Sequence, residues 1–299
     1  MGKRESVFYV GRVSKIGFDQ NKFIAALFEP VPFEDRSSNN IWNIVNVVED
    51  KDYHFYSGKL NKANPDATVT VMTKNYKEEL EKKEPDMVLC SSEFIYIPEY
   101  SGIAFHSIPN YIEPKRFISI FQQIIEKTIS NFFFVDCQIN LLDNLDSFFK
   151  KLNDFSSISI MKAAVNPPNP LFGRFWESLK EYLKERNATE LQIKEINKND
   201  NLKTKIKELI RLLLKNDENE IGQYLKLNDI SPLDAAILMS LDGYGNGRID
   251  GYINGQYAFI KTHERMIHFS LGQEFTIKEI FDKANEIFQR ISNERYMEH

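Results

Sequence analysis

Apolar and polar positions alternate with a period of two in several short runs of the chain, and with the wider period of a helix between those runs. The clearest case is Ser92 to Ile108. There Phe94 and Tyr96 lead to Pro98 and the Ser101-Gly102 pair, and Ile103, Phe105 and Ile108 follow. Aromatic and β-branched residues on both sides of a turn signal predict two strands joined by a tight reversal. Upstream, Val7 and Tyr9 mark a first strand, Phe23 to Phe28 is apolar without a clear period, and Phe33 to Asn40 reads as a polar loop. Ile41 to Val48 and His54 to Leu60 predict an antiparallel hairpin across the charged turn Glu49 to Asp52. Val69 to Met72 reads as a short strand, and the charged segment Lys74 to Glu84 as an exposed helix or a flexible arm.

Beyond the central hairpin, Pro114 suits a first helical position, and Phe117, Ile120, Phe121, Ile124 and Thr128 recur along one helical face. Asn131 to Leu141 is too rich in aromatic and β-branched residues for a comfortable helix and reads as a buried strand. Asp143 with Asp146 resembles a helix start before Leu145, Phe148, Phe149 and Leu152. The same grammar then repeats. Ile158 and Ile160 mark a strand, Asn166 to Pro170 a turn, Phe172, Phe175, Trp176, Leu179 and Leu183 a helix, and Leu191 with Ile193 a returning strand. Two successive strand-helix-strand units predict an α+β fold with mixed or antiparallel sheets and packed helices, built from split-βαβ, ferredoxin-like half-units.

A helix over Lys203 to Lys215, a polar interval at Asn216 to Glu220, and an apolar segment Leu233 to Leu241 come next. Asn254-Gly255 is the strongest hairpin signal in the chain. Thr276 with Glu279 is a capping-box pattern for a last helix, and the charged tail after Arg290 is expected to fray. The boundary suggested by these patterns divides the chain into residues 1–130 and 131–299, each an α+β domain.

Composition narrows the class. With 299 residues, 42% hydrophobic and 27% charged, the chain is long enough for a substantial core and ordinary enough to be globular. A net charge of −5 argues against wholesale attraction to nucleic acid, so such binding requires a local basic patch. Only Cys90 and Cys137 are present, which excludes a disulfide framework or a Cys-based zinc site and points to a reducing cytoplasm. No run approaches the ~18 apolar residues of a membrane helix.

Several motifs invite chemistry. Asp242 to Gly251 suggests a phosphate or calcium loop, but it lacks the Gly-Lys-Ser/Thr ending and the terminal Glu of those templates, so a glycine-bearing strand or turn is preferred. His263 and His268 are five apart where a zincin helix needs four, which favours a polar turn. Gln192-x-Lys194 has the spacing of a nuclease motif without the upstream acid. No cofactor is implied. The most physical hint is electrostatic: Lys203, Lys207, Arg211 and Lys215 fall four apart, with Lys205 close by. On a helix they form one basic stripe able to track phosphates, and Arg248, Lys261 and Arg265 extend it.

Four pieces together resemble the order of elements in RexA-like phage-exclusion proteins and related phage-defence proteins. They are His54 to Leu60, the hairpin Phe94 to Ile108, the helix and strand after it, and Asn166 to Pro170. The resemblance spans about residues 20 to 200. It implies an α+β fold, a homodimer, non-specific DNA binding and a role in aborting phage infection, and it carries no catalytic residues. The resulting expectation is a cytoplasmic, non-enzymatic nucleic-acid-binding or sensing component of phage defence, without membrane insertion. It would bind DNA or RNA, with a partner protein from the same operon as a further candidate. Two alternatives stand beside it: a metal-dependent nuclease or phosphodiesterase using Asp242 and Asp250 or the Gln192-Lys194 strand, and a protein-interaction subunit.

Overall fold

The computed structural model describes residues 5–72, 79–130, 134–167, 172–295 and 297–298. The N-terminal half runs β1 (Ser6–Ile16), α1 (Gln20–Phe28), β2 (Phe33–Asp35), β3 (Asn40–Asp50), β4 (Phe55–Asn64), β5 (Thr68–Met72), β6 (Glu79–Lys83), β7 (Met87–Ile97), β8 (Gly102–Ser107) and α2 (Pro114–Ile129). Then come β9 (Asp136–Leu141), α3 (Leu145–Asn153), β10 (Ser157–Val165), β11 (Phe172–Gly173), α4 (Glu177–Glu185), β12 (Leu191–Ile196), α5 (Ile206–Lys215) and α6 (Glu218–Leu227). The chain ends with α7 (Pro232–Leu241), β13 (Gly245–Ile253), β14 (Gln256–Lys261), β15 (His268–Leu271), α8 (Ile277–Glu294) and β16 (Met297–Glu298).

Among the described residues an eight-stranded sheet is ordered β15-β1-β8-β7-β4-β3-β2, with β9 also on β1. The central hairpin forms as the sequence predicts: Pro98–Tyr100 make a single 3-10 turn, Ser101 takes the left-handed conformation at φ 44°, and β8 starts at Gly102. Alternation then sends side chains of the same strands to opposite faces. Phe94, Tyr96, Ile103 and Phe105 pack under α1 and α2, while Phe8, Val10, Ile95 and Ile97 pack under α8. The sheet is thus the middle of three layers.

The second sheet has four strands, ordered β12-β10-β13-β14 and antiparallel throughout. One face carries Met161, Ala163, Val165, Ile249 and Ile260 into a core shared with α3, α4, α5 and α7. The helix α7 is buried on every side, from Leu233 to Leu241, in keeping with a sequence that is apolar all round except at Asp234 and Ser240. Ser231 caps it by accepting from the Asp234 N–H at 3.1 Å, and Pro232 fills the first helical position.

The α+β class, with antiparallel sheets and packed helices, is what the chain forms. Its connectivity departs from the split-βαβ arrangement: β9 and β10, joined by α3, lie in different sheets, and β10 and β12, joined by α4, pair directly and antiparallel. The expected boundary after residue 130 falls between α2 and β9, yet β9, β15 and α8 all return to the first sheet.

Smaller differences have local causes. Of the segment expected to be a helix or arm, residues 79–83 are the strand β6, paired with β5, and residues 74–78 lie outside the described residues. The expected loop at Phe33–Asn40 includes β2 on the edge of β3. The polar interval after Lys215 begins α6, because Asp217 caps the N–H groups of Asn219 and Glu220. Phe172 belongs to β11, not to the helix that follows. The tail does not fray at Arg290: α8 continues to Glu294 and Arg295 is buried. Residues 131–133 and 168–170 of the expected strand and turn lie outside the described residues.

Candidate nucleic-acid interface

The basic stripe expected on the helix from Lys203 is only partly assembled. Helix α5 starts at Ile206, because Asp234 on α7 takes the Thr204 hydroxyl and the Lys205 N–H, at 3.2 Å, and Thr204 Oγ1 accepts from the Ile206 N–H at 3.1 Å. Lys203 therefore lies before the helix and off its pitch. Lys205 Nζ donates to Asn228 Oδ1 at 2.9 Å and lies over the Tyr224 ring. Lys207 turns inward and donates to the Phe155 carbonyl at 2.8 Å, where burial lowers its pKa from the ordinary lysine value. Lys215 pairs with Glu220 at 2.8 Å. Arg211 is exposed. Arg265 is exposed in the turn after β14, its backbone N–H on Asp143. These cations mostly serve local packing.

Arg248 and Lys261 lie elsewhere, and in better company. They face each other across β13 and β14, and Lys162 on β10 faces Arg248 and also Lys194 on β12. Directly opposed residues of antiparallel strands project to the same face. Lys194, Lys162, Arg248 and Lys261 therefore form one row of cations across all four strands, on the face opposite the α7 core. With strands about 4.8 Å apart, the row is about 14 Å long. Lys162 escaped the sequence reading, and Lys194 entered it only through the Gln192-x-Lys194 motif, since only strand register brings the two to Arg248.

The rest of the face is sorted by row. On one side lie Gln192, Ala164 and Asn246, and on the other Ile196, Ile160, Asp250 and Phe259, followed by Tyr252 and Tyr257. Ala164 and the backbone at Gly247 leave a hollow of about 570 Å³, rimmed by the lysines, Arg248 and the two amides. The only carboxylate among these outward positions, Asp250, is already held. Arg248 Nε lies 3.0 and 2.9 Å from its two oxygens, and Tyr257 donates its hydroxyl to it. Burial alone would raise the Asp250 carboxyl, but the hydrogen bonds from Arg248 and Tyr257 outweigh it and hold the pKa below the usual value. The Arg248 guanidinium lies 4.3 Å from the Phe259 ring centre, and Lys261 Nζ lies 5.3 Å from it.

Glycines in Asp242–Gly251 shape this strand. Gly245 adopts φ +147°, and a Cβ there would strike the Ala164 carbonyl; at Gly251 it would strike the carbonyl of Ser157. The preferred reading of a glycine-bearing strand is therefore the one the chain adopts. Asp242 is buried behind it, bonded to Arg295 Nη1 at 2.7 Å and to the Trp176 indole at 3.4 Å, while its own carbonyl accepts from Arg12 Nε at 3.0 Å. Burial raises its carboxyl, opposed by the charges of Arg295 and Arg12. His263 Nε2 is 2.9 Å from the Gly245 carbonyl, in a turn. Asp242 and Asp250 are thus both engaged in protein contacts. Among the described residues no three His, Cys, Asp or Glu side chains gather as a metal site.

Fold and site together define an α+β protein whose smaller sheet shows a basic, aromatic-bearing face to solvent. Residues 22–219 match the family model described as DUF4747, a domain of unknown function, and the chain belongs to that family. The matched span includes Lys162 and Lys194 and ends before Arg248 and Lys261. No curated protein matches the chain. Among the described residues no helix is long and apolar enough to cross a membrane.

Proposed function

We propose that this protein is a non-enzymatic nucleic-acid-binding or sensing component, and that the open face of its four-stranded sheet is the binding surface. The observation that carries this reading is the in-register row Lys194, Lys162, Arg248 and Lys261, beside which Asp250 is held by Arg248 and Glu264 is paired with Lys151. Such a row supplies local positive potential on a chain whose net charge is −5. The setting of phage defence rests on the resemblance of residues 20 to 200 to RexA-like proteins. The nuclease alternative has less support, because Asp242 is buried against Arg295 and Asp250 is bound by Arg248.

The test is binding of labelled oligonucleotides over a salt series by three proteins: the wild type, Lys162→Glu with Lys194→Glu, and Lys207→Glu with Arg211→Glu. Three or four phosphate contacts predict a log–log salt slope of about −2 to −3 for a single strand. The sheet variant should lose binding and the α5 variant retain most of it. Salt-independent binding, or loss confined to the α5 variant, would overturn the assignment.

A further inference from the structure

The sheet face carries more than charge. We infer that it takes nucleic acid as a single strand, with bases stacked on Phe259, Tyr257 and Tyr252 and phosphates along the cation row; this rests on the reading of the face as a nucleic-acid surface. The three rings project from the same side of β13 and β14 as Arg248 and Lys261 and lie beside the row, at successive positions away from it. They are 40%, 56% and 43% exposed, although sheet positions that face water are ordinarily polar. Tyr252 and Tyr257 pair across the strands with ring centres 6.2 Å apart. Asp250 pairs with Arg248 and leaves its guanidinium plane over Phe259, which makes that plane a further stacking surface, while Lys162, Lys194 and Lys261 of the row carry the charge that meets phosphate.

Geometry separates the strand types. A duplex keeps its bases inside and shows phosphates on a convex cylinder, so exposed rings on a flat sheet would meet only its sugar-phosphate surface. An unpaired strand lays its bases flat on the rings while its backbone follows the lysines. The hollow beside Ala164 has a volume in the range of small-ligand sites, and Asn246 places an amide at its rim for a base edge, opposite Gln192, whose Nε2 already donates to Glu190 Oε1 at 3.0 Å. RNA and DNA single strands share this chemistry.

The experiment measures anisotropy of labelled 12-mers at fixed low salt: single-stranded RNA, single-stranded DNA, the matching duplex, and a strand of the same charge with abasic sugars. The variants are Tyr252→Leu and Phe259→Leu, which keep apolar bulk and remove the ring face, checked for folding by circular dichroism. Stacking predicts single strands of at least one sugar type bound tenfold or more tighter than the duplex and the abasic strand, with about a tenfold loss in each variant and an unchanged salt slope. The RNA and DNA arms assign the sugar. If the duplex or abasic strand binds as well as the single strands, stacking is overturned. If at the same time charge reversal at Lys162 and Lys194 still abolishes binding, the surface stands and only the strand type falls. No binding by any oligonucleotide overturns both.

Discussion

Asp35 shows how much one side chain can hold. It ends β2, and its carboxylate accepts from the Ser37 hydroxyl at 2.6 Å, the Ser38 hydroxyl at 2.8 Å and the Ser37 N–H at 3.1 Å, and pairs with Arg116 of α2. The hydroxyls of Ser37 and Ser38 lead in holding its pKa far below the usual carboxylate range. A group depressed in the folded state stabilises fully above its unfolded pKa of about 3.9, and that contribution is lost as pH falls toward the folded value. Asp35→Ala should therefore cost about 2 kcal/mol at pH 7, and the gap to wild type should narrow at pH 3. Thermal unfolding at both pH values checks this; an equal gap at both would sink it. The same scale shows what the sequence hid at the interface. Arg248 and Lys261 were visible as cations near a hairpin, because Asn254-Gly255 fixes their register locally. Lys162 and Lys194 lie far from them in sequence, and their alignment depends on long-range strand pairing that no local pattern encodes.

Among elements, those with local signals were legible: the central hairpin, α2 behind Pro114, and α8 behind its capping box. Strand β6, with the sequence Glu79–Lys83, reads as helix or arm from its charge, yet pairs with β5 in a two-stranded ribbon. The placement of α8 was hidden too, although the turn that receives it was plain. Phe288 is fully buried and stacks on Tyr100 at 5.3 Å, and Gly102 leaves the space its ring occupies. A Cβ on Gly102 would overlap that ring. Gly102→Ala should destabilise by about 1–3 kcal/mol as overpacking. In a Phe288→Ala background, itself about 3–5 kcal/mol less stable, the added methyl should cost much less. A double-mutant cycle by urea unfolding measures that coupling, and additive losses would disprove the contact.

At the scale of the molecule, the two sheets are tied together by polar groups as well as by chain crossings. Arg12 of β1 is fully buried and donates to the carbonyls of Tyr100, at 2.7 Å, and Asp242, while Asp242 also binds Arg295 beyond α8. Asp143, after β9, receives the N–H groups of His263 and Arg265 from the turn that leads into β15. Charged groups buried in this way are expensive to leave unpaired, which makes separation of the halves costly. The division at residue 130 looked natural because turn and helix signals cluster there, but pairing between distant strands crosses it. A fragment of residues 1–130 would lose β9 and β15 from one edge of β1 and the whole α8 cover from Phe8, Val10, Ile95 and Ile97. An open strand edge and an uncovered apolar face leave it without a fixed core. The fragment should therefore bind a hydrophobic dye, show little near-ultraviolet dichroism and melt without a sharp transition, whereas the full chain melts cooperatively. A fragment that melts sharply with native-like near-ultraviolet signal would show that the first sheet needs neither the returning strands nor α8.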